Sequence, residues 1–326
     1  MEGSATKAIE PIPLSEIRTA RERLAGIALR TPLVRLELEG VSEEIWLKLE
    51  NLQPIGSFKI RGAGNAMRKA GPESLAGGVY TASAGNMAQG VAWNARRLGI
   101  PCTVIVPENA PETKLAAIGR LGGHILRVPF DRWWRVLQEH HYPGAEGFFI
   151  HPVSDPAVIA GNGTIGIEIL EDLPDADTVL VPFGGGGLSC GIASAVRAVS
   201  PAARVFACEV ETAAPFAASL AAGAPREIAY RPSFVDGIGG KSMLPEMWPL
   251  ARGLLSGSLV TTLEEIAAAI RLLAARQRVI AEGAGAASLA AARGGKAGGA
   301  KIVCVVSGGN IDPDKLATIL TGQLPE

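Results

Sequence analysis

Short runs of apolar, β-branched residues alternate with alanine-rich stretches along this chain, and this alternation constrains the fold most strongly. Several of the runs are continuously apolar, as strands buried on both faces of a parallel sheet are. Parallel strands need a crossover connection, which is usually a helix. The pattern therefore predicts βαβ units and an α/β fold with mostly parallel sheet. The clearest strand-like runs lie at 44–50, 78–83, 102–107, 124–129, 178–183, 204–211 and 301–307.

The length and charge of the chain narrow the kinds of protein it can be. Its 326 residues exceed what one hydrophobic core usually holds, so we expect two domains. The formal net charge is −1, and the basic residues are scattered, which argues against nucleic acid and anionic membranes as partners. No apolar run approaches the ~18 residues of a membrane helix. The first residues, MEGSATKAIE, lack the apolar segment of a signal peptide, so we expect a cytoplasmic protein.

Four polar or glycine-rich segments stand where predicted strands end or predicted helices begin. Lys59 precedes a helical run, and SAGNMAQG (83–90) follows the strand at 78–83. The segments GGGGLSCG and SGGN follow two further strands. In open α/β sheets, ligands bind beyond the carboxyl ends of the strands. We therefore expect the four segments to share one binding site.

The glycine-rich segment predicts a phosphate site. Glycines at 184–187 allow a sharp turn that aims backbone amides inward, and the following helix adds its positive end. No Lys-Ser/Thr pair follows, so the segment is not a Walker loop. A dinucleotide site would require G-x-G-x-x-G, but Ser189 and Cys190 stand where the third glycine is needed. Glu209 fits the position of a ribose-binding acid, yet that alternative explains neither Lys59 nor SGGN.

Pyridoxal 5′-phosphate (PLP) would use all four segments. It carries one phosphate, an aldehyde, a ring hydroxyl and a pyridine nitrogen. Lys59 would form the Schiff base with the aldehyde. Asn86 would bond the ring hydroxyl, and Ser307 the pyridine nitrogen.

Together these motifs resemble the serine/threonine dehydratase branch of the fold type II PLP enzymes, the tryptophan synthase β superfamily. The resemblance covers nearly the whole chain. It implies two open, mostly parallel sheets flanked by helices, with PLP in the cleft between a large domain (1–52 and 146–326) and a small domain (53–145). It further implies a small amino acid as substrate, and we expect a homodimer. The motifs are GSFKIRGA, SAGNMAQG, HPVSDPAVIAGNGTIGIEIL, GGGGL, FVDGI and SGGN.

The resemblance assigns roles to single residues. Lys59 becomes the cofactor lysine and the acid/base at Cα. Phe58 packs near the cofactor, Asn86 bonds the ring hydroxyl and Ser307 faces the pyridine nitrogen. The phosphate is held by Gly184, Gly185, Gly186, Gly187 and Leu188. The loop that holds the substrate carboxylate comprises Ser83, Ala84, Gly85, Asn86 and Met87.

The implied reaction is β-elimination from threonine or serine, which yields a 2-oxo acid and ammonia. A neutral Ser307 at the ring nitrogen leaves that nitrogen largely unprotonated. The ring is then a weaker electron sink, which favours prompt elimination over transamination.

Met87 departs from the family pattern, which usually has a histidine after the asparagine. We weigh two interpretations. In one, the thioether only packs. In the other, it enlarges and dries the pocket, so that a β-aryl serine such as phenylserine becomes a substrate.

Other departures bear on the alternatives. Serine racemases of the family carry a second catalytic serine where this chain has Ala84, which disfavours racemisation. Glu209 and Ala213 match two ligands of the family's divalent metal site, but Pro215 stands at the third, so we expect no metal. A β-replacement synthase of the same superfamily usually has threonines in its phosphate loop, unlike GGGGL. A non-catalytic nucleotide-binding module remains the alternative from a different functional class.

Overall fold

The structure, a computed structural model, describes residues 9–40 and 42–325. Positions 1–8, which carry most of the segment behind the expected cytoplasmic location, lie outside these ranges. No helix in the described ranges is long and apolar enough to cross a membrane. The strands are β1 (Leu33–Leu36), β2 (Glu44–Leu49), β3 (Val79–Ala82), β4 (Cys102–Pro107), β5 (His124–Val128), β6 (Phe148–Phe149), β7 (Thr178–Pro182), β8 (Arg204–Val210), β9 (Gly257–Thr261) and β10 (Lys301–Val306).

The helices connect these strands and cover both sheets. A short 3₁₀ turn (Glu50–Leu52) precedes the second helix, and a π-turn (Leu273–Gln277) follows the tenth. The α-helices are α1 (Leu14–Arg23), α2 (Lys59–Ser74), α3 (Asn86–Leu98), α4 (Glu112–Arg120), α5 (Phe130–Glu139), α6 (Pro156–Asp172), α7 (Gly187–Val199), α8 (Pro215–Ala222), α9 (Met247–Leu254), α10 (Leu263–Leu272), α11 (Gly283–Arg293) and α12 (Pro313–Leu320).

Two sheets form the framework. The larger has six strands in the order β1-β2-β10-β7-β8-β9, and only its edge strand β1 runs antiparallel to its neighbour. The smaller has four parallel strands in the order β5-β4-β3-β6. Strands β10 and β7 are neighbours, so the segments that follow them emerge side by side. The predicted fold class, two mostly parallel sheets flanked by helices, is confirmed.

The predicted strands match the observed ones to within one residue at each end. The prediction missed β1, β6 and β9, which are short or begin with glycine and so carry little pattern. Strand β6 joins the four-stranded sheet although it lies just beyond position 145. The division into domains at 52/53 and 145/146 remains a prediction.

Helix α6 packs closely between α2 and α7. Nearly every residue of α6 is buried, and its glycines allow the backbones to approach. A Cβ atom at Gly161 would lie 2.5 Å from the carbonyl oxygen of Arg61 on α2, and one at Gly163 would lie 2.9 Å from that of Gly191 on α7. Any larger side chain at these positions would push the helices apart.

A buried ion cluster fixes α2 to the large sheet and to α6. Arg61 is 2% exposed and bonds Glu50 at 2.8 Å and Glu168 at 2.6 Å. Lys48 on β2 also contacts Glu168 at 2.6 Å, and its ammonium donates to the carbonyl of Thr31. Burial alone would raise the pKa of Glu50, but the adjacent guanidinium holds it below its ordinary value. Every charge in the cluster therefore has a partner.

The cluster makes a testable prediction about stability. Arg61→Ala removes the cation beside Glu50 and leaves a buried charge uncompensated, so we expect a loss of about 3–5 kcal/mol in the free energy of unfolding. The matched control is Lys69→Ala. Lys69 also lies on α2 and pairs with Glu16 at 2.6 Å, but both side chains are well exposed. Its loss should cost about 0–1 kcal/mol.

Denaturant unfolding of the two variants, monitored by circular dichroism, measures the difference. Equal shifts of the two midpoints would contradict the role of the buried cluster.

Candidate active site

The loop before Lys59 is paired with the SGGN loop that follows β10. The amide of Phe58 donates to the carbonyl of Ser307 at 3.0 Å, and the amide of Gly309 donates to the carbonyl of Gly56 at 2.9 Å. Ser57 and Gly308 form an isolated bridge between the two loops. These contacts bring together two of the four predicted segments. They also hold Ser307, which is 3% exposed, one residue from the bridge.

Lys59 is the first residue of α2, and its side chain is partly buried. The Nζ atom donates to the carbonyl of Pro152 at 3.0 Å and lies 5.1 Å from the centre of the Phe58 ring. Burial lowers the pKa of Lys59 to about 8, and the charge of nearby Glu282 opposes this shift only in part. A larger fraction of this amine is therefore neutral near pH 7 than in an exposed lysine, and the neutral form is the nucleophile.

The glycine loop connects β7 to α7 and lies against Val153. A Cβ at Gly185 would lie 2.5 Å from a methyl carbon of Val153, and one at Gly187 would lie 2.7 Å from its carbonyl oxygen. Gly186 has a φ of +95°, a conformation that favours glycine. Leu188 then continues α7, whose first amides face the loop. Because Val153 follows Pro152, whose carbonyl accepts from Lys59, the predicted phosphate loop adjoins the amine.

Asn86 opens α3, and two partners fix its amide. Its Nδ2 donates to Oε1 of Glu282 at 2.7 Å, and its Oδ1 accepts from Nδ2 of Asn310 at 2.8 Å. The amide therefore cannot flip without losing both bonds. Nδ2 keeps a second N–H, which can serve a ligand. Asn310 ties this helix start to the SGGN loop.

Glu282 is a site residue that sequence reasoning missed. Its carboxyl group is buried between Asn86 and the backbone of Gly308. Burial, helped by the charge of Asp236, raises the pKa of Glu282 to about 7, although the bond from Asn86 works against this. The available signal was a lone carboxylate before the small-residue helix GAGAASLAAAR.

The predicted carboxylate loop lies between β3 and α3. The amide of Gly85 donates to Oγ of Ser83 at 3.2 Å, and the amide of Gln89 donates to the carbonyl of Gly85 at 3.3 Å. Amides earlier in α3 have no carbonyl one turn before them within the helix. The loop, which also contains Ala84, can therefore bind an anion at the helix start.

The burial of Met87 bears on the two interpretations of this residue. Its side chain is 1% exposed and lies in the core of the four-stranded sheet, with Met67, Val91, Val104 and Ile150 among its cluster. The burial favours the other interpretation, in which the thioether packs.

Glu209 has a structural role. Its carboxylate accepts from the amides of Phe216 and Ala217 at the start of α8, at 2.9 and 2.8 Å, and from Oγ of Ser258. Pro215 stands where a third metal ligand would be needed. Within residues 9–40 and 42–325, no cluster of three or more His, Cys, Asp or Glu side chains could hold a metal ion. Neither Glu209 nor Ala213 therefore gains support as a metal ligand.

The assembled groups fit PLP. A partly buried amine of lowered pKa can attach its aldehyde, and the glycine loop can hold its phosphate one residue from the lysine's partner. The free N–H of Asn86 is a donor for a ring oxygen. The residues that offer these groups come from both sheets, because Lys59 and Asn86 begin helices beside the smaller sheet and the glycine loop follows β7.

Known proteins are similar to this chain in sequence and in fold. The sequence model of the family described as "Pyridoxal-phosphate dependent enzyme" matches residues 25–308. L-threonine ammonia-lyase of Thermotoga maritima is 39% identical over 319 residues, which cover 96% of this chain and 79% of that protein. The catabolic L-threonine dehydratase of Escherichia coli is 36% identical over 316 residues, 95% of this chain and 96% of the relative.

A solved structure agrees with the sequence comparisons. The structure of maize serine racemase superposes with a TM-score of 0.83 at 33% identity, and the match covers 96% of this chain and 98% of that one. The family match spans well over half of the chain and includes three of the four segments of the site and the first two residues of the fourth, SGGN. The chain therefore belongs to the family of pyridoxal-phosphate dependent enzymes.

Proposed function

We propose that this protein is a PLP-dependent ammonia-lyase that converts L-threonine or L-serine to a 2-oxo acid and ammonia. The observation that carries the proposal is the Lys59 amine, which is partly buried, has a lowered pKa and donates to a backbone carbonyl where the predicted loops converge. The relatives named L-threonine ammonia-lyase and L-threonine dehydratase support the same reaction.

The chain offers a holding group for each part of the cofactor. Lys59 and Phe58 would flank its aldehyde end, Asn86 would donate to the ring hydroxyl, and Ser307 would face the ring nitrogen. Bound PLP supplies an aldehyde and an electron-withdrawing ring that makes the Cα proton of an amino acid acidic. The phosphate-holding residues are Gly184, Gly185, Gly186, Gly187 and Leu188.

The loop of residues 83–87 orients the substrate. Amides at the start of α3 bind its carboxylate, because they are not used within the helix and carry the positive end of the helix dipole. Holding the carboxylate there fixes Cα relative to Lys59, and such positioning accounts for a large part of many rate enhancements.

Lys59 then moves the proton. As a free amine with a pKa of about 8, it can accept the Cα proton near neutral pH. The Cβ–O bond breaks and the β-hydroxyl leaves as water, which in the net balance contains the proton that Lys59 took from Cα. The unsaturated amine that results takes up one water on hydrolysis and yields the 2-oxo acid and ammonia. Atoms balance, because the water lost in elimination equals the water used in hydrolysis.

Two further parts of the proposal concern assembly and location. We propose a homodimer that acts in the cytoplasm, as expected from the sequence. Light scattering of the purified protein tests the first part, and fractionation of the native host cells tests the second.

Replacing Lys59 tests the central assignment. We expect Lys59→Ala to reduce 2-oxo acid formation from threonine by at least about a thousandfold, because the variant lacks both the attachment point and the acid/base. Reduction of the wild-type protein with borohydride should leave a pyridoxyl group on Lys59, as read by peptide mass spectrometry. Lys69→Ala is the control and should keep both properties. A pyridoxyl group on another lysine would refute the assignment.

The pH dependence of cofactor attachment tests the environment of Lys59. The folded amine has a pKa of about 8, below its ordinary value, so it is protonated below that pH and neutral above it. PLP added to the apoprotein should therefore attach faster as pH rises through about 8, with little further gain above. Stopped-flow absorbance measures the rate. An exposed lysine would keep gaining up to about pH 10.4, and that profile would contradict the burial.

Substitution at Met87 separates packing from specificity. We expect Met87→Leu, which conserves volume, to cost less than about 1.5 kcal/mol and to leave the relative kcat/KM for threonine, serine and phenylserine unchanged. Thermal unfolding and 2-oxo acid assays measure the two effects. A changed substrate ratio at unchanged stability would instead return Met87 to the substrate pocket.

A further inference from the structure

The turn at residues 151–154, between β6 and α6, contacts two parts of the candidate active site. The carbonyl of Pro152 accepts from Nζ of Lys59 at 3.0 Å. Val153 packs against Gly185 and Gly187 of the glycine loop. The orientation of the Lys59 amine and the position of the glycine loop therefore both depend on the conformation of one short turn.

The imidazole of His151 holds that shape. Its Nδ1 accepts from the amide of Val153 at 3.1 Å and from the amide of Ser154 at 2.8 Å. Its Nε2 lies 3.0 Å from the carbonyl oxygen of Leu137 on α5. A carbonyl can only accept, so Nε2 carries the hydrogen and Nδ1 is the bare acceptor that the two amides need.

The ring is confined on all sides. His151 is 2% exposed and stacks on His140 at 4.3 Å, with the edge of Phe149 at 5.9 Å. His140 in turn meets Glu246 at 3.3 Å, and the hydroxyl of Ser154 lies between the two rings. Burial, together with the neighbouring His140, lowers the pKa of His151 to about 3 despite the opposing charge of Glu246. The ring therefore stays a neutral acceptor across the working pH range.

We propose that His151 is a positioning residue for the PLP-dependent reaction. Through Nδ1 it shapes the 151–154 turn, so that the Pro152 carbonyl directs the Lys59 amine and Val153 supports the phosphate loop. The inference rests on the proposed function for the reaction, but its tests measure cofactor binding and attachment.

Two substitutions of His151 test the roles of the two ring nitrogens separately. His151→Asn places an amide oxygen where Nδ1 was, and asparagine readily accepts from amides two and three residues ahead. His151→Gln instead reaches the Leu137 carbonyl with its amide nitrogen and leaves the amides of Val153 and Ser154 without an acceptor. His141→Asn and His141→Gln, at an exposed histidine, are the matched controls.

The readouts are the PLP dissociation constant of the full-length protein and the pH midpoint of cofactor attachment. For His151→Gln we expect affinity to fall about tenfold to a hundredfold, as the loss of one or two buried hydrogen bonds implies. Its attachment midpoint should rise from about 8 toward the ordinary lysine value, because a loosened turn admits water to the amine. His151→Asn and the His141 variants should keep wild-type values.

The outcomes are decisive in either direction. Wild-type PLP affinity and midpoint in His151→Gln would overturn the proposal, as would equal losses in His151→Asn and His151→Gln at equal thermal stability. If His151→Gln does not fold, His151→Asn decides alone: an unchanged PLP affinity supports the proposal, and a tenfold loss overturns it. A wild-type protein that binds PLP but leaves both threonine and serine unchanged would refute the proposed reaction without touching this inference.

Discussion

The buried contact of Arg61 with Glu50 and Glu168 is the interaction on which the site depends. It fixes α2 to the 3₁₀ turn that follows β2 and to α6, only two residues from Lys59. Two carboxylates and a guanidinium are costly to bury, and a hydrophobic cluster of similar volume would often be at least as stable. What the ion cluster adds is direction, since bidentate bonds allow few orientations of the helix. The orientation of the helix in turn fixes the position of Lys59 at its first residue.

Desolvation is the main determinant of the pKa of Lys59. A lysine at a helix entrance near a carboxyl group would ordinarily be a stable cation, and Glu282 does pull its pKa upward. Desolvation is the larger effect, so the pKa of Lys59 ends near 8. The same burial raises the pKa of Glu282 to about 7. Desolvation thus favours the neutral form of both groups. This suits an amine that must be neutral to bind an aldehyde and becomes charged when it takes a proton.

Sequence analysis located seven of the ten strands in the described residues and the four candidate site segments, because continuous apolar runs and glycine loops are local signals. It could not find Glu282, whose proximity to Asn86 depends on how distant helices pack. Nor could it find the Pro152 carbonyl, since a backbone atom leaves no mark on composition. Met87 illustrates a different limit, because a sequence pattern can indicate a loop without giving the direction of a side chain. The family pattern placed it in the substrate loop, but the direction of its side chain follows from the rotation of α3, which the core of the small sheet sets.

The same fold carries different reactions, as the close superposition with a serine racemase shows. Racemisation needs a proton carrier on each side of Cα, because the proton removed from one face must be replaced from the other. This chain has Lys59 for one face. At the position that the family resemblance gives to the second carrier it has Ala84, whose methyl group exchanges no proton. A carbanion-like Cα next to a β-hydroxyl then reacts faster by losing water than by taking up a proton on the opposite face. In the proposed reaction, Ala84 in the 83–87 loop therefore disfavours racemisation, whereas the framework of sheets and helices is common to this chain and the racemase.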